Sequence, residues 1–284
     1  MAEHATRPRE FAFTPHDFTY LAELVTQHTG IRLPPEKKEM LYGRLSRRLR
    51  HLGLGSFGDY RALLEGPDGE QEITHTINAL TTNLTGFFRE AHHFDHLAKV
   101  ALPQILEAQS QSGTRRLRLW SAGCSTGQEP YSIAMTLLAS MPQRNQWDVR
   151  ILATDLDSQV LQHARAGCYD RGLAEKIPAN WRSAYAESHP NGQMRMARSL
   201  REIITFNHLN LMHPWPMRGP FSVIFCRNVV IYFDKPTQRI LFDRMADLLT
   251  PRGYLYIGHS ETLFNVCDRF EACGKTIYRK KEDA

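Results

Sequence analysis

The stretch that most constrains this chain is LRLWSAGCSTGQEPYSIAMTLL, residues 117–138. Leu117 to Trp120, apolar but for Arg118, reads as a short strand, and glycines follow at 123 and 127. Tyr131, Ile133, Ala134, Leu137 and Leu138 then recur at helical spacing. Strand, glycine turn and helix together open a nucleotide-binding βαβ unit, where glycine lets the backbone turn sharply and a ligand come close.

The same turn excludes several ligands. It is neither G-x-G-x-x-G nor G-x-x-x-x-G-K-[ST], and no basic residue lies between Trp120 and Tyr131. A polyphosphate would find no cation there. The one local charge is Glu129, which suits a positively charged cofactor such as S-adenosylmethionine. Thr126-x-x-Glu129 is also the pattern of a capping box, which would satisfy helix N–H groups and need no ligand. The local residues leave both readings open, with the cap slightly ahead.

A chain of 284 residues with net charge +5 and a pI near 9.0 is long enough for one large or two modest domains. The mild basicity permits an acidic partner without demanding nucleic acid. No run approaches membrane-spanning length and residues 1–10 lack a signal-peptide core, which predicts a cytoplasmic protein. Five cysteines (124, 168, 226, 267, 273) without C-x-x-C read as free thiols. His92 and His96 stand one helical turn apart, but no Glu-x-x-His or cysteine accompanies them, so no metal is expected.

Residues 1–13 read as a loose tail. Thr14-Pro15 starts a helix that Gly30 ends, and Pro34-Pro35 opens a second with Leu41, Leu45, Leu49 and Leu52 on its apolar face. Lys37, Arg44, Arg47 and Arg50 follow its other side. That stripe is either a solvated face or a dock for an acidic partner. Helices are expected over 56–64 and 70–80, completing a small all-α domain. Residues 78–90, rich in Thr and Asn but carrying Phe87-Phe88-Arg89, suit a loop lining a polar pocket. A helix over 91–109 follows.

The second half alternates strand and helix. Strand 147–154 ends at Asp155, in the position where such folds hold ribose hydroxyls, while Asp157 is the better turn or capping residue and Ser158 is expected to cap the next helix. Residues 167–200 break the rhythm, and Pro190-Asn191-Gly192 predicts a hairpin inside an inserted subdomain. Strands are expected over 203–206, 221–226, 254–258 and 270–279, with a helix from Pro236 to Leu249 and a frayed end over 280–284.

Residues 79–90, 120–132 and 224–234 (IFCRNVVIYFD) resemble the CheR family of chemotaxis receptor methyltransferases, and Asp155 and Gly258-His-Ser-Glu261 fit as well. The resemblance spans about Phe13 to Tyr278. It implies a Rossmann-like α/β methyltransferase sheet with helices on both faces, an N-terminal all-α domain and a small inserted β-subdomain. It divides the chain into a receptor-docking domain (1–82), a linker and connecting helix (83–113) and a cofactor-binding domain (114–284) with the β-subdomain at about 167–202. It also implies roles. Glu129 holds the methionyl ammonium of S-adenosylmethionine, and Asp155 the ribose. Asn210 and Leu211 contact adenine, the leucine through its backbone. Asn83, Thr85 and Arg89 close over the cofactor beside Gly123, and Arg227, Asn228 and Tyr232 line the methyl-transfer end. With these roles Glu129 becomes chiefly a ligand and only partly a cap.

The implied reaction moves a methyl group onto chemoreceptor glutamates and leaves S-adenosylhomocysteine. Arg89 and Tyr232 are the expected catalytic residues, and Lys37, Arg44, Arg47 and Arg50 the expected receptor-docking residues. A monomer acting on the receptors' cytoplasmic helical bundle, with no nucleic acid, is the expected working form. The alternatives are a nucleic-acid methyltransferase, which lacks base-stacking aromatics beside its basic residues, and a non-catalytic S-adenosylmethionine sensor.

Overall fold

The computed structural model describes residues 9–141 and 143–282, and for Asn191 the backbone alone. The chain divides into two compact units, one ending at Thr82 and one beginning at Asn83. Among the described residues no helix is long and apolar enough to cross a membrane.

The first unit is four helices: α1 (Pro15–Thr29), α2 (Lys38–Leu52), α3 (Phe57–Glu65) and α4 (Gly69–Leu80). A reciprocal cap between Thr14 and Asp17 starts α1, and Gly30 ends it at φ 72°. Pro34-Pro35 leads first into one 3-10 turn, Pro35–Lys37, so Lys37 precedes α2. Leu41, Leu45 and Leu49 are fully buried against Leu21, Phe57 and Tyr60. The expected loose tail is corrected over residues 9–13, because Phe11 and Phe13 are buried and Phe13 lies 4.5 Å from the ring of Phe57. Residues 1–8 lie outside the described residues.

Glu72 ties α4 to its neighbours. Its carboxylate accepts from Arg48 Nε and Nη2 at 2.9 and 2.6 Å and from the buried Tyr60 hydroxyl at 2.7 Å. Burial pushes the Glu72 carboxyl up, but the Arg48 and Tyr60 hydrogen bonds outweigh it and hold the group below its ordinary value.

The second unit begins with α5 (His92–His96) and α6 (Leu102–Gln111), joined by a π-helical stretch, Leu97–Ala101. Leu102 donates to Leu97 O, five residues back, just before Pro103, which has no N–H to donate. Then come β1 (Arg116–Ala122), α7 (Gln128–Ser140), β2 (Asp148–Asp155), α8 (Ser158–Ala166), β3 (Cys168–Asp170), α9 (Arg171–Ala174), α10 (Ala179–Tyr185), β4 (Ala186–Ser188), β5 (Gln193–Met196), α11 (Arg198–Arg201) and β6 (Ile204–His208). The chain continues through β7 (Phe221–Cys226), α12 (Lys235–Leu248), β8 (Leu249–Ile257), β9 (Phe270–Gly274) and β10 (Ile277–Lys280).

Seven strands form one sheet in the order β6-β2-β1-β7-β8-β10-β9. The first five run parallel, and β10 and β9 close the edge antiparallel. Apolar clusters cover both faces. Tyr131, Leu137 and Leu161 lie on one, and Leu241, Phe242 and Met245 of α12 on the other. The chain works outward from β1 through β2 to β6, then returns to β7 on β1's other side. The switch point of this open sheet therefore lies between β1 and β7, where ligands bind beyond the strands' C-terminal ends.

The inserted subdomain is a separate three-stranded sheet, β3-β5-β4, with β4 and β5 as the hairpin around Pro190-Asn191-Gly192. Several local expectations are corrected. Asp157, not Ser158, caps α8, because its carboxylate reaches the N–H groups of Gln159 and Val160. The single strand over 270–279 is a hairpin, since Thr276 turns the chain at φ 56°. The expected frayed end is held at its start, where Lys280 is buried with Nζ 3.1 Å from Leu249 O.

Replacing Glu72 with alanine leaves Arg48 and the Tyr60 hydroxyl without their acceptor and is expected to remove about 3 kcal/mol of stability. A carboxyl lowered in the folded state stabilises above its unfolded pKa, and that contribution disappears as pH falls through the folded value. Urea unfolding should therefore show a smaller loss on acidification for Glu72→Ala than for the unchanged chain. Equal midpoints and equal acid slopes would contradict the network's role.

Candidate functional site

β1 and β7 pair in parallel, with Leu119 opposite Val223 and Ser121 opposite Phe225, so the loops that follow them face one crevice. After β1 the chain turns at Gly123, φ 81°, where a Cβ would fall 2.3 Å from Val229 Cγ2. The N–H groups of Gly123 and Cys124 both donate to Thr154 O, at 2.8 and 2.9 Å, which ties the turn to the end of β2. Gly127, φ 96°, occupies the N-cap of α7, packed too closely against the Tyr169 hydroxyl and Ala164 for any side chain.

The expected capping box does not form. With Gly127 at the cap position, Thr126 Oγ1 turns to Gln128 Oε1 at 2.8 Å and α7 has no side-chain cap. Glu129 turns inward instead. Ser121 Oγ donates to its Oε1 at 2.7 Å and Arg227 Nη1 to its Oε2 at 3.0 Å. The expected cap is thus replaced by a long-range ion pair.

Arg227, at the end of β7, is 6% exposed and has a second carboxylate partner, Glu90, whose Oε2 lies 3.4 Å from Nη2. Nη2 also donates to Arg89 O at 2.5 Å. One guanidinium thus serves two carboxylates, and the cluster carries one uncompensated negative charge when both are ionised. Burial pushes the Glu129 carboxyl up, an effect that Arg227 and Ser121 oppose but do not cancel. Glu90 shows the reverse balance: burial raises it, and Arg227 with His259 more than offsets this to hold it low. His93 beside it is lowered to about 3 by burial and then by Arg227, so it is neutral.

Asp155 ends β2 within this crevice. Its Oδ2 accepts from Ser125 N at 2.7 Å and its Oδ1 from Asp157 N at 2.9 Å, and burial raises its carboxyl. Asn83 belongs to the same wall, with Nδ2 2.9 Å from Asp157 Oδ2 and its carbonyl accepting from Ser125 Oγ at 3.0 Å. Leu209 N donates to Asp155 O at 2.9 Å, which brings Asn210 and Leu211 to the end of the same strand pair. Asn210 Oδ1 accepts from Met212 N at 2.9 Å, and Leu211 O accepts from Trp215 Nε1 and Arg244 Nη1 at 3.1 and 2.8 Å.

The loop after Arg227 is held by a residue to which the sequence assigned no role. The Glu261 carboxylate accepts from the main-chain N–H groups of Gly258, Asn228, Val230 and Ile231 at 2.5, 3.0, 3.0 and 3.3 Å. That grip fixes Asn228 at φ 59° against Gly258, where a Cβ would fall 2.3 Å from Asn228 Nδ2. Only the spacing Gly258-x-x-Glu261, at the end of a strand, hinted at it.

The expected catalytic pair is not joined. Arg89 Nη1 donates to Leu84 O at 2.7 Å and closes its own loop, whereas Tyr232 sits half-buried in the 3-10 turn Val230–Tyr232. Among the described residues no hydrogen bond links the two. Thr85 is half-buried in the same loop as Arg89. His92 and His96 also diverge, His92 Nε2 toward Lys275 O and His96 Nδ1 toward the Tyr256 hydroxyl. All five cysteines are free, and Cys124 is buried with its thiol pushed well up by burial.

The basic stripe of the first unit is partly engaged. Arg44 Nη1 donates to Leu80 O and Thr81 O at 2.8 and 2.6 Å, satisfying carbonyls at the end of α4, and Arg50 pairs with Glu10. Lys37 and Arg47 are exposed. Arg44, Arg47, Arg48 and His51 line a shallow groove of about 290 Å³.

The profile of the CheR methyltransferase SAM-binding domain matches residues 83–279, and that of the CheR methyltransferase all-alpha domain matches residues 16–81. A probable chemotaxis protein methyltransferase of Rhizobium etli is 44% identical over 260 residues, covering 90% of this chain and 96% of the relative. Chemotaxis protein methyltransferase 2 of Pseudomonas aeruginosa is 43% identical over 274 residues, 95% of each chain. The chemotaxis protein methyltransferase of Escherichia coli is 41% identical over 279 residues, covering 96% of this chain and 93% of the relative. With S-adenosylmethionine as its methyl donor, the chain belongs to the CheR methyltransferase family.

Proposed function

We propose that this chain methylates glutamate side chains of chemoreceptors in the cytoplasm, as a monomer, to adjust their signalling. The observation that carries the site assignment is the Glu129–Arg227–Glu90 cluster at the switch point, with one negative charge in excess. Such a buried surplus fits the ammonium of S-adenosylmethionine. Glu129 takes that ammonium, and Gly123, which leaves no volume for a side chain, lets the cofactor lie against the turn. Asp155 takes the ribose hydroxyls. Asn210 and the Leu211 main-chain N–H take adenine, since the Leu211 carbonyl is already engaged. Asn83, Thr85 and Arg89 close the pocket from one side, and Arg227 and Asn228 from the other.

When bound, the cofactor supplies an electrophilic methyl group on a sulfonium. A glutamate is ionised at neutral pH, so the acceptor needs no general base. The chemistry that the bound cofactor would supply is a displacement in which an acceptor oxygen would take the methyl group and sulfur would keep the electron pair of the broken carbon–sulfur bond, with Glu129, Asp155 and Asn210 holding the cofactor. The protein's contribution is alignment and exclusion of water. Tyr232 and Arg89 orient the acceptor, and Glu261 holds the Tyr232 loop rigid from below.

In this reading residues 1–82 dock the receptor, 83–113 connect, and 114–284 carry the cofactor. Arg47 in the groove beside α2, and Lys37 just ahead of that helix, offer exposed cations to an acidic helical bundle, because Arg44 is held by α4's carbonyls and Arg50 by Glu10. Incubation with methyl-labelled S-adenosylmethionine and receptor membranes should place base-labile label in receptor glutamate. Label in added nucleic acid, or tight cofactor binding with no transfer, would contradict the proposal. Arg47→Glu should lower receptor methylation at least about tenfold, a loss of roughly 1.4 kcal/mol in docking, with cofactor affinity unchanged.

Glu129 also gives a pH test. A protonated Glu129 cannot pair with an ammonium, and its pKa is raised by burial. Affinity for S-adenosylhomocysteine, which keeps that ammonium, should therefore rise with pH through a midpoint above the ordinary carboxylate value and then level off. Glu129→Gln should bind at least about tenfold more weakly at neutral pH and lose this midpoint. An unaltered profile in the variant would remove Glu129 from the ammonium site.

A further inference from the structure

At the edge of the cofactor crevice, Glu90 also meets two histidines that the methyl-transfer chemistry does not use. One ligand atom from each of Glu90, His92 and His93 lies within 4.8 Å of the other two. The β9–β10 turn sets both ring tautomers. His92 Nε2 lies 3.1 Å from the carbonyl of Lys275, an acceptor only, so Nε2 carries the proton. His93 Nε2 lies 2.9 Å from Thr276 Oγ1, whose own hydroxyl donates to Lys275 O, so this Nε2 is protonated too. Each imidazole therefore keeps its lone pair on Nδ1. Second-sphere hydrogen bonds of this kind orient histidines that bind metals.

The His93 lone pair has no partner. Its Nδ1 is buried without a hydrogen bond and faces Glu90 Oε2, also buried without one, at 3.7 Å. Two acceptors face each other with no hydrogen between them, and one of them, Glu90, is already part of the cluster that is one negative charge in excess when both its carboxylates are ionised. Donors around a zinc ion at about 2.0–2.2 Å stand roughly 3.4 Å apart, so small side-chain shifts would close this set. His92 is exposed and provides the entry side. The left-handed backbone of Glu90, φ 57°, presents its carboxylate to the histidines.

We propose that Glu90, His92 and His93 form a binding site for a divalent transition-metal ion of the imidazole-preferring class, zinc or cobalt. Water completes the coordination, and Arg227 opposes the metal enough to keep the site reversible. A metal there draws Glu90 away from Arg227 and leaves the guanidinium to Glu129 alone. That consequence rests on Glu129 holding the cofactor ammonium, and it predicts weaker cofactor binding when the metal is present.

Full-length protein stripped with a chelator should bind one zinc ion by calorimetry, and one cobalt ion with ligand-field absorption of nitrogen coordination. His92→Ala and His93→Ala should each weaken zinc at least about tenfold, whereas His28→Ala should not. His93 is buried, so circular dichroism checks that variant's fold, and His92→Ala, at an exposed position, tests the site independently. No cobalt spectrum, or zinc affinity equal in all the variants, would overturn the site, a bridging water being the outcome that leaves no spectrum. S-adenosylhomocysteine affinity should fall at least about threefold with zinc bound. A cobalt spectrum with unchanged affinity would overturn the coupling and leave the site.

Discussion

One guanidinium held between two carboxylates sets the character of this molecule. Arg227 is nearly buried, and a buried cation persists only where opposite charges pair with it. Its partners come from distant parts of the chain, Glu129 from the start of α7 and Glu90 from the approach to α5. Parallel pairing of β1 and β7 is what brings Glu129 and Arg227 together across the switch point. Because the two carboxylates outnumber the guanidinium, the fold keeps a cationic deficit in a dry place, and Glu129's raised pKa is its signature. A cofactor that carries an ammonium relieves this deficit on binding.

The backbone around the cluster is fitted as closely as the charges. Gly123 and Val229 leave no room for a side chain on one wall, and Gly258 and Asn228 leave none on the other. Glu261 gathers four N–H groups, so the loop from Asn228 to Ile231 keeps one shape in spite of the left-handed residue at its start. Rigidity of this kind matters for an in-line displacement, where the acceptor must already be aligned before the bond forms.

Much of the fold was legible in the sequence because local rules decide it. Thr14-Pro15, Gly30, Ser56 and Pro190-Asn191-Gly192 each ended or began an element as their chemistry requires. The glycine turn and Asp155 were legible as a candidate site because small and acidic residues at strand ends have few structural uses there, whereas the run after Cys226 was legible only through its resemblance to the CheR family. Partners far apart in the chain were not legible. Thr126 and Glu129 have the spacing of a cap, but Gly127 took the cap position and Arg227, 98 residues away, took the glutamate. Arg44 looked like part of a free basic stripe until α4 ended beside it with carbonyls to satisfy. Phe11 and Phe13 looked like tail residues because no periodicity covers so short a segment, yet Phe57 holds Phe13 in the core.

The most direct test of the central claim is the count of protons exchanged when S-adenosylhomocysteine binds. Calorimetry in buffers of different ionisation enthalpy gives that count. If the ammonium meets Glu129, whose pKa is raised in the free protein, binding just above the ordinary carboxylate range should release a proton fraction that vanishes at higher pH. Glu129→Gln should release none of that fraction. Binding of the unchanged protein with no proton release across this range would contradict the claim that the buried carboxylate pair, short of one positive charge, is what receives the cofactor.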